Sequence, residues 1–153
     1  MTTGELPYTA AGQETKAFYV QDGGAIRLWQ SAGGSVAIIS GRDSKAVIAR
    51  AKDLDIHLVI QGVPDKTPAY ERVCQEVGVS DKEVGVVGDD LLDLALLRRC
   101  GYPIAVANAI PRVKRAARYV TRREGGQGAV TEVVERLLRS NGTWTDTMAP
   151  WQV

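Results

Sequence analysis

Apolar residues along the chain fall into short runs, and each run stops on small or polar residues. Ser35–Ile39 ends at Ser40-Gly41-Arg42, and Ile56–Ile60 at Gln61-Gly62. Glu83–Val87 ends at Gly88-Asp89-Asp90, Pro103–Val106 at Ala107-Asn108, and the shorter Arg118–Val120 at Thr121-Arg122. Near-continuous apolarity over four to five residues predicts strands covered on both faces, as in parallel sheets. His57, inside the second run, reads as a packing residue. Segments of helical length separate the runs: Gly23–Ala32, Ser44–Leu54, Lys66–Val77, Leu91–Cys100, Pro111–Ala116 and Ala129–Arg139. The last carries Val130, Val133, Val134, Leu137 and Leu138 on one face. Asp43 and Asp65 are expected N-caps, and Gly78 and Gly101 expected helix stops.

Strand-helix alternation predicts an α/β fold: a Rossmann-like parallel sheet with right-handed crossovers and helices on both faces. Residues 1–140 are expected to form one domain, opening on a β-hairpin within residues 1–20. Its strands would be Glu5–Thr9 and Glu14–Val20, joined by Ala10-Ala11-Gly12-Gln13, with Gly12 supplying a positive φ. The tail, 141–153, shows no period and should be loosely ordered unless Trp144 and Trp151 dock on a neighbour.

At 153 residues the chain is long enough to bury a sizeable core. Its net charge of +1 gives no reason to expect nucleic acid or an anionic membrane as partner. It contains no apolar run of bilayer length and no signal-peptide pattern at its start, which points to a cytoplasmic protein. Cys74 and Cys100 read as reduced packing residues rather than a bridge.

Candidate chemistry collects at the ends of the runs. Ligands of open parallel sheets bind beyond the carboxyl ends of the strands. There stand Ser40, Gly41 and Arg42, then Asp89 and Asp90 with Asp93 a helical turn on, then Asn108 and Arg122; Lys66 opens the helix after the second run. Mg²⁺ takes oxygen ligands, often one or two carboxylates plus waters. Asp89 is the candidate carboxylate, with Asp93 holding a metal-bound water. A Ser hydroxyl and a Lys ammonium suit phosphoryl oxygens, and Arg42 and Arg122 suit another anionic group. Singly, each feature has a plainer reading: Asp89-Asp90 as an N-cap cluster, Ser40-Gly41-Arg42 as a turn, Lys66 as a solvated lysine, and Gly125–Gly128 as a flexible loop. The ordered arrangement at consecutive strand ends favours the phosphate reading.

Five stretches carry a resemblance: KAFYVQDGGAIRL (Lys16–Leu28), AIISGRDS (Ala37–Ser44), QGVPDK (Gln61–Lys66), VGDDLLD (Val87–Asp93) and YVTRREGGQGAVTEV (Tyr119–Val133). In this order they resemble the 3-deoxy-D-manno-octulosonate 8-phosphate phosphatases, a capless branch of the haloacid dehalogenase superfamily, over nearly all of residues 4–139. The resemblance implies that Ser40 contacts phosphate, Lys66 neutralises the phosphorylated intermediate, and Asp89 is a Mg²⁺ ligand with Asp93 behind it. It implies that Arg42 and the loop after Tyr119 lie near the sugar acid. It also implies a homotetramer whose hairpin helps cover a neighbour's site.

The departure is at the front. The family's first motif, D-x-D-G-V-L-T-D-G, supplies the nucleophilic Asp and the acid/base Asp. Met1-Thr2-Thr3-Gly4 falls on its last four residues. Both aspartates and the central first strand are therefore expected to be missing from this chain, leaving two unpaired sheet edges. None of Glu5, Glu14 or Asp22 occupies the required strand end. Two functions are compatible with these features. One is a Mg²⁺-dependent phosphatase of a phosphorylated sugar acid, truncated and inactive as it stands. The other is a non-catalytic oligomeric module built on the same scaffold.

Overall fold

In the computed structural model, which describes residues 2–151, every apolar run yields a strand. These are β1 (Ala37–Ile39), β2 (Leu58–Ile60), β3 (Gly85–Gly88), β4 (Tyr102–Ala105) and β5 (Tyr119–Val120). All pairings among them are parallel, with Ile38 opposite Val59, Val87 opposite Ile104 and Ala105 opposite Val120. They form two sheets, β1-β2 and β3-β4-β5, with no ladder joining them among the described residues. The free edges of β1 and β3 are the two unpaired edges that the sequence led us to expect.

Helices cover both faces. They are α1 (Val20–Ser31), α2 (Lys45–Asp53), α3 (Thr67–Val77), α4 (Leu94–Leu97), α5 (Pro111–Ala116), α6 (Ala129–Ser140) and α7 (Trp144–Met148). Successive strand residues point to opposite faces. Accordingly Ile38 packs with Ala51, Leu54 and Ile56 and with Ile26 of α1, whereas Ile39 packs with Tyr70, Leu96 and Cys100 beneath α3 and α4. Val86 of β3 shares that second cluster, so one helical layer spans both sheets. Leu97, Ile104, Leu138, Val106 and Val113 are fully buried, each contributing about 1.5–3 kcal/mol of transfer free energy. The apolar face of α6 closes on Ala25, Leu28 and Trp29 of α1 through Val134 and Leu138.

Several local expectations are corrected. The hairpin is an irregular arm with a single antiparallel bridge, Tyr8 to Glu14, rather than two strands. Pro7 has no amide to donate; its carbonyl accepts Thr15 N at 3.0 Å, and the Thr9–Gln13 turn closes through Thr9 N to Gln13 O at 2.9 Å. Val20 begins α1 and is 77% exposed, so it is not the end of a strand. His57 is exposed, because β2 starts one residue later and Ile56 takes the buried position. Asp43 makes no cap: Ser44 is the N-cap of α2, and its amide donates to Gln61 Oε1 at 3.1 Å. Asp65 is not the N-cap of α3 either: that position is Lys66, and Asp65, one residue earlier, accepts Thr67 N at 2.9 Å, while Gly78 closes the helix at φ 75°. Gly101 stops no helix, since α4 ends at Leu97. It is a close approach, where a Cβ would collide with the carbonyl of Lys82.

The tail forms α7 and a 3-10 turn over Ala149–Trp151. Trp144 packs on the α1–α6 cluster under the Arg139 guanidinium, 4.3 Å from its ring centroid, while Trp151 stays exposed. Gln152 and Val153 lie outside the described residues. Both cysteines are free thiols, Cys100 buried and Cys74 half-buried.

Candidate phosphate and metal site

The carboxyl ends of β1, β2 and β3 meet on one rim. Ser40 continues the β1-β2 ladder, its amide donating to Ile60 O at 2.9 Å, and Val63 N returns to Ser40 O at 3.2 Å. These bonds zip the two loops together. The Ser40 hydroxyl closes its own turn, donating to Arg42 O at 2.9 Å and accepting from Arg42 N at 3.1 Å. Gly41 faces the next loop, where an added Cβ would stand 3.3 Å from Leu92 Cδ1.

Lys66 sits at the N-cap position of α3 and reaches across the rim. Its Nζ is 2.6 Å from Asp93 Oδ1, with only 13% and 8% of the two side chains exposed. Asp93 is engaged on both oxygens, since Oδ2 accepts Asp89 N at 2.9 Å and Asp90 N at 3.1 Å. Its part is thus to shape the loop that carries Asp89. Asp90 caps the same turn, accepting Leu91 N at 2.7 Å. Glycine is required at Gly88, where a Cβ would lie 2.6 Å from Asp93 Cβ.

Asp89 is half-buried, and none of the side-chain hydrogen bonds among the described residues uses its carboxylate. Burial, and then the Asp93 and Asp90 carboxylates, push its pKa up; Lys66 works in the other direction. A carboxylate held at a cost in this way gains from a cation. Asp89 offers oxygen donors for a hard ion such as Mg²⁺, which completes its octahedron with waters and ligand oxygens. Among the described residues no three His, Cys, Asp or Glu side chains converge as a ready-made cage. The donor set fits Mg²⁺ held by one carboxylate of this chain plus other oxygens.

The remaining candidates are spread along the rim. Arg122 follows β5 and is exposed; no contact among the described residues links its side chain to Ser40, Lys66 or Asp89. Its loop is fixed from behind by Glu132, which accepts Tyr119 OH at 2.5 Å and the amides of Arg122 and Arg123. Burial raises the Glu132 pKa, but the Tyr119 hydroxyl and those amides outweigh it and hold the group below the carboxylate range. Asn108 accepts Gly125 N at 2.9 Å, which ties the glycine loop to the end of β4. Thr3 N would stand 2.5 Å from a Cβ at Gly126, so the first residues of the arm lie against that loop.

Glu14 and Asp22, set aside above as attacking carboxylates, have partners that the sequence did not indicate. Glu14 of the arm contacts Arg42, with Oε2 to Nη2 at 2.7 Å. Asp22 is a buried structural carboxylate that accepts Thr131 N at 3.0 Å and Thr131 Oγ1 at 2.9 Å, tying α1 to the first turn of α6. The alternation Glu14, Lys16, Phe18 was the available signal for the first, because it places all three on the inward face of an extended arm. A hollow of about 620 Å³ lies at the opposite end, before β3, lined in part by Glu71, Asp81 and Arg99. Its arginine is already paired with both carboxylates, at 2.5 and 2.8 Å, so the chemistry stays on the rim.

Residues 56–133 match the haloacid dehalogenase-like hydrolase family. The 3-deoxy-D-manno-octulosonate 8-phosphate phosphatase of Haemophilus influenzae is 37% identical over 142 residues, covering 93% of this chain and 79% of the relative. The Escherichia coli K12 enzyme of the same name is 40% identical over 131 residues, covering 86% and 70%. A crystal structure of the Moraxella catarrhalis phosphatase, in complex with magnesium ion, phosphate ion and a KDO molecule, superposes with a TM-score of 0.95 at 38% identity, covering 99% of this chain and 87% of that one. The chain belongs to the haloacid dehalogenase-like hydrolases and, within them, to the family of 3-deoxy-D-manno-octulosonate 8-phosphate phosphatases.

Proposed function

We propose that this rim is the phosphate and metal site of a Mg²⁺-dependent phosphomonoesterase acting on a phosphorylated sugar acid, 3-deoxy-D-manno-octulosonate 8-phosphate by family. The observation that carries the reading is the junction of three loops: Ser40, Lys66 and Asp89 stand on loops tied to one another by Val63, Leu92 and Asp93. The magnesium, phosphate and KDO of the Moraxella catarrhalis complex support it.

When bound, Mg²⁺ supplies positive charge to phosphoryl oxygens. Asp89 would hold the ion. Asp93 keeps the Asp89 loop in shape and fixes the Lys66 ammonium, which is poised for phosphoryl oxygens as a point charge. The Ser40 hydroxyl can turn from its own loop to donate to the same group. Gly41 lets that loop lie close to Leu92, and Arg42 and Arg122 face the acid portion.

An attacking carboxylate is not supplied by residues 2–151. Asp22 is buried against Thr131, Glu14 is held by cations, and Glu5 is exposed on the arm. We therefore propose that the chain is inactive as it stands, and that the free edges of β1 and β3 accommodate a further strand bearing that carboxylate. The test compares phosphate release from 3-deoxy-D-manno-octulosonate 8-phosphate by this chain and by a form lengthened upstream with an apolar strand ending in Asp-x-Asp. The lengthened form should turn over with Mg²⁺ and the given chain should not. An inert lengthened form would show the reading to be wrong.

The assembly we propose is a cytoplasmic homotetramer. Leu6 and Tyr8 of the arm and Leu91 and Leu92 of the Asp89 loop leave large apolar side chains exposed, as contact surfaces do. A stable monomer in sedimentation would contradict this. Among the described residues no helix is long and apolar enough to cross a membrane.

A further inference from the structure

We propose that Glu14 is a positioning residue for Arg42, and that the Lys16–Glu14–Arg42 chain is what makes the rim select phosphate esters that also carry a carboxylate. The inference rests on the reading of the rim as a sugar-acid phosphate site.

Glu14 lies between two cations. Lys16 Nζ is 2.9 Å from Oε1, off the line of a hydrogen bond, and Arg42 Nη2 is 2.7 Å from Oε2. The side chains of Lys16 and Glu14 are only 9% and 17% exposed, whereas 55% of Arg42 is open to solvent. That gradient decides which contact gives way. If Glu14 swung out to admit a ligand anion, the Lys16 ammonium would be left buried without its counter-ion, a large penalty. Glu14 therefore stays, and Arg42 is the mobile end.

A guanidinium has five N–H donors in a rigid fork, and Glu14 uses one nitrogen of Arg42. Tyr8 of the arm lies against the same guanidinium; the donors that Glu14 and Tyr8 leave over suit a carboxylate, the group the fork fits best. Arg42 also belongs to the Ser40 turn through its own backbone amide and carbonyl, so its head starts beside the phosphate loop. An arginine free to roam would lose side-chain entropy on binding; one already held by Glu14 loses less. The arm thus contributes indirectly to specificity, with Lys16 anchoring Glu14 and Glu14 aiming Arg42.

The test is calorimetric binding, with Mg²⁺ present, of two probes to this chain: 3-deoxy-D-manno-octulosonate 8-phosphate and a hexose 6-phosphate without a carboxylate. Glu14→Gln should lower the ratio of the two affinities about tenfold, the scale of one charge-assisted bond. Glu14→Asp should recover part of it. The double variant Glu14→Gln with Lys16→Met, which strands no buried charge, should show the same selective loss and guards against misfolding of the single variant. Equal weakening of both probes would make Glu14 a general structural pin and overturn the inference. So would tighter binding of the sugar-acid ester by Glu14→Gln, which would make Glu14 a competitor for Arg42. An unchanged ratio overturns it too, while leaving the phosphatase reading in place. Failure of the unsubstituted chain to bind either probe removes both.

Discussion

Lys66 Nζ stands 2.6 Å from Oδ1 of Asp93, and both side chains are almost fully covered. Twenty-seven residues apart in sequence, the two join the start of α3 to the loop after β3. A buried pair of this kind is costly to break from one side. Lys66→Met and Asp93→Asn should each lower the unfolding free energy by about 3–5 kcal/mol. The double variant should lose less than the two losses added, with a coupling of about 1–3 kcal/mol. Urea unfolding of the four proteins checks this, and strict additivity would mean that the pair is not formed.

Gly88 meets Asp93 from behind. A Cβ there would lie 2.6 Å from the Asp93 Cβ, so Gly88→Ala must push the Asp89 loop off its position. The expected cost is about 1–3 kcal/mol by thermal unfolding. Mg²⁺ affinity should fall with it, although no metal-binding side chain has been changed. Wild-type Mg²⁺ affinity in Gly88→Ala would contradict the link between this glycine and the metal site.

Burial, then the Asp93 and Asp90 carboxylates, hold Asp89 above the usual carboxylate range. The sign follows from linkage. A carboxyl with a raised pKa binds its proton more readily in the folded chain than in the unfolded one, so its ionisation costs stability above that pKa. The cost is relieved as pH falls through it. Asp89→Asn should therefore be more stable than the parent near neutral pH, with the advantage shrinking under acid. Mg²⁺ should leave the parent at a higher pH than it leaves an ordinary aspartate site. Unfolding curves and Mg²⁺ titrations across pH check both statements.

Asp22 gives an internal control away from the metal. Asp22→Ala removes the acceptor for Thr131 N and Thr131 Oγ1 at the start of α6 and strands a half-buried amide. The loss should be about 1–3 kcal/mol. Hydrogen exchange should rise first where α1 meets α6, with phosphate binding at the rim retained. Loss of phosphate binding without loss of stability would instead bring Asp22 into the site.

The elements legible in the sequence were those with a strong local signal. All the apolar runs became strands, although the burial expected on both faces is complete only at the end of β4 and at Gly88, with β1 and β2 half-buried and Val120 of β5 exposed; α6 declared itself by its amphipathic period. The rim was legible because polar residues placed directly after apolar runs can only stand at strand ends. Long-range partners were not legible. Nothing local to Asp22 indicates Thr131, and nothing local to Glu14 indicates Arg42, because the arm's path is set by tertiary contact rather than by strand pairing. His57 was misjudged because membership of an apolar run does not fix which residue of the run turns outward. The 3-10 turn at Leu91–Asp93 replaced the first part of an expected helix because Asp90 and Asp93 draw the local amides to their own side chains.

Binding of inorganic phosphate to this chain, with and without Mg²⁺, is the most direct test of the rim as a metal-held phosphate cradle. Phosphate should bind more tightly when Mg²⁺ is present; Asp89→Asn should abolish that enhancement, and Lys66→Met should weaken binding in both conditions. Phosphate binding that is indifferent to Mg²⁺ in the parent, or untouched by both substitutions, would contradict the account.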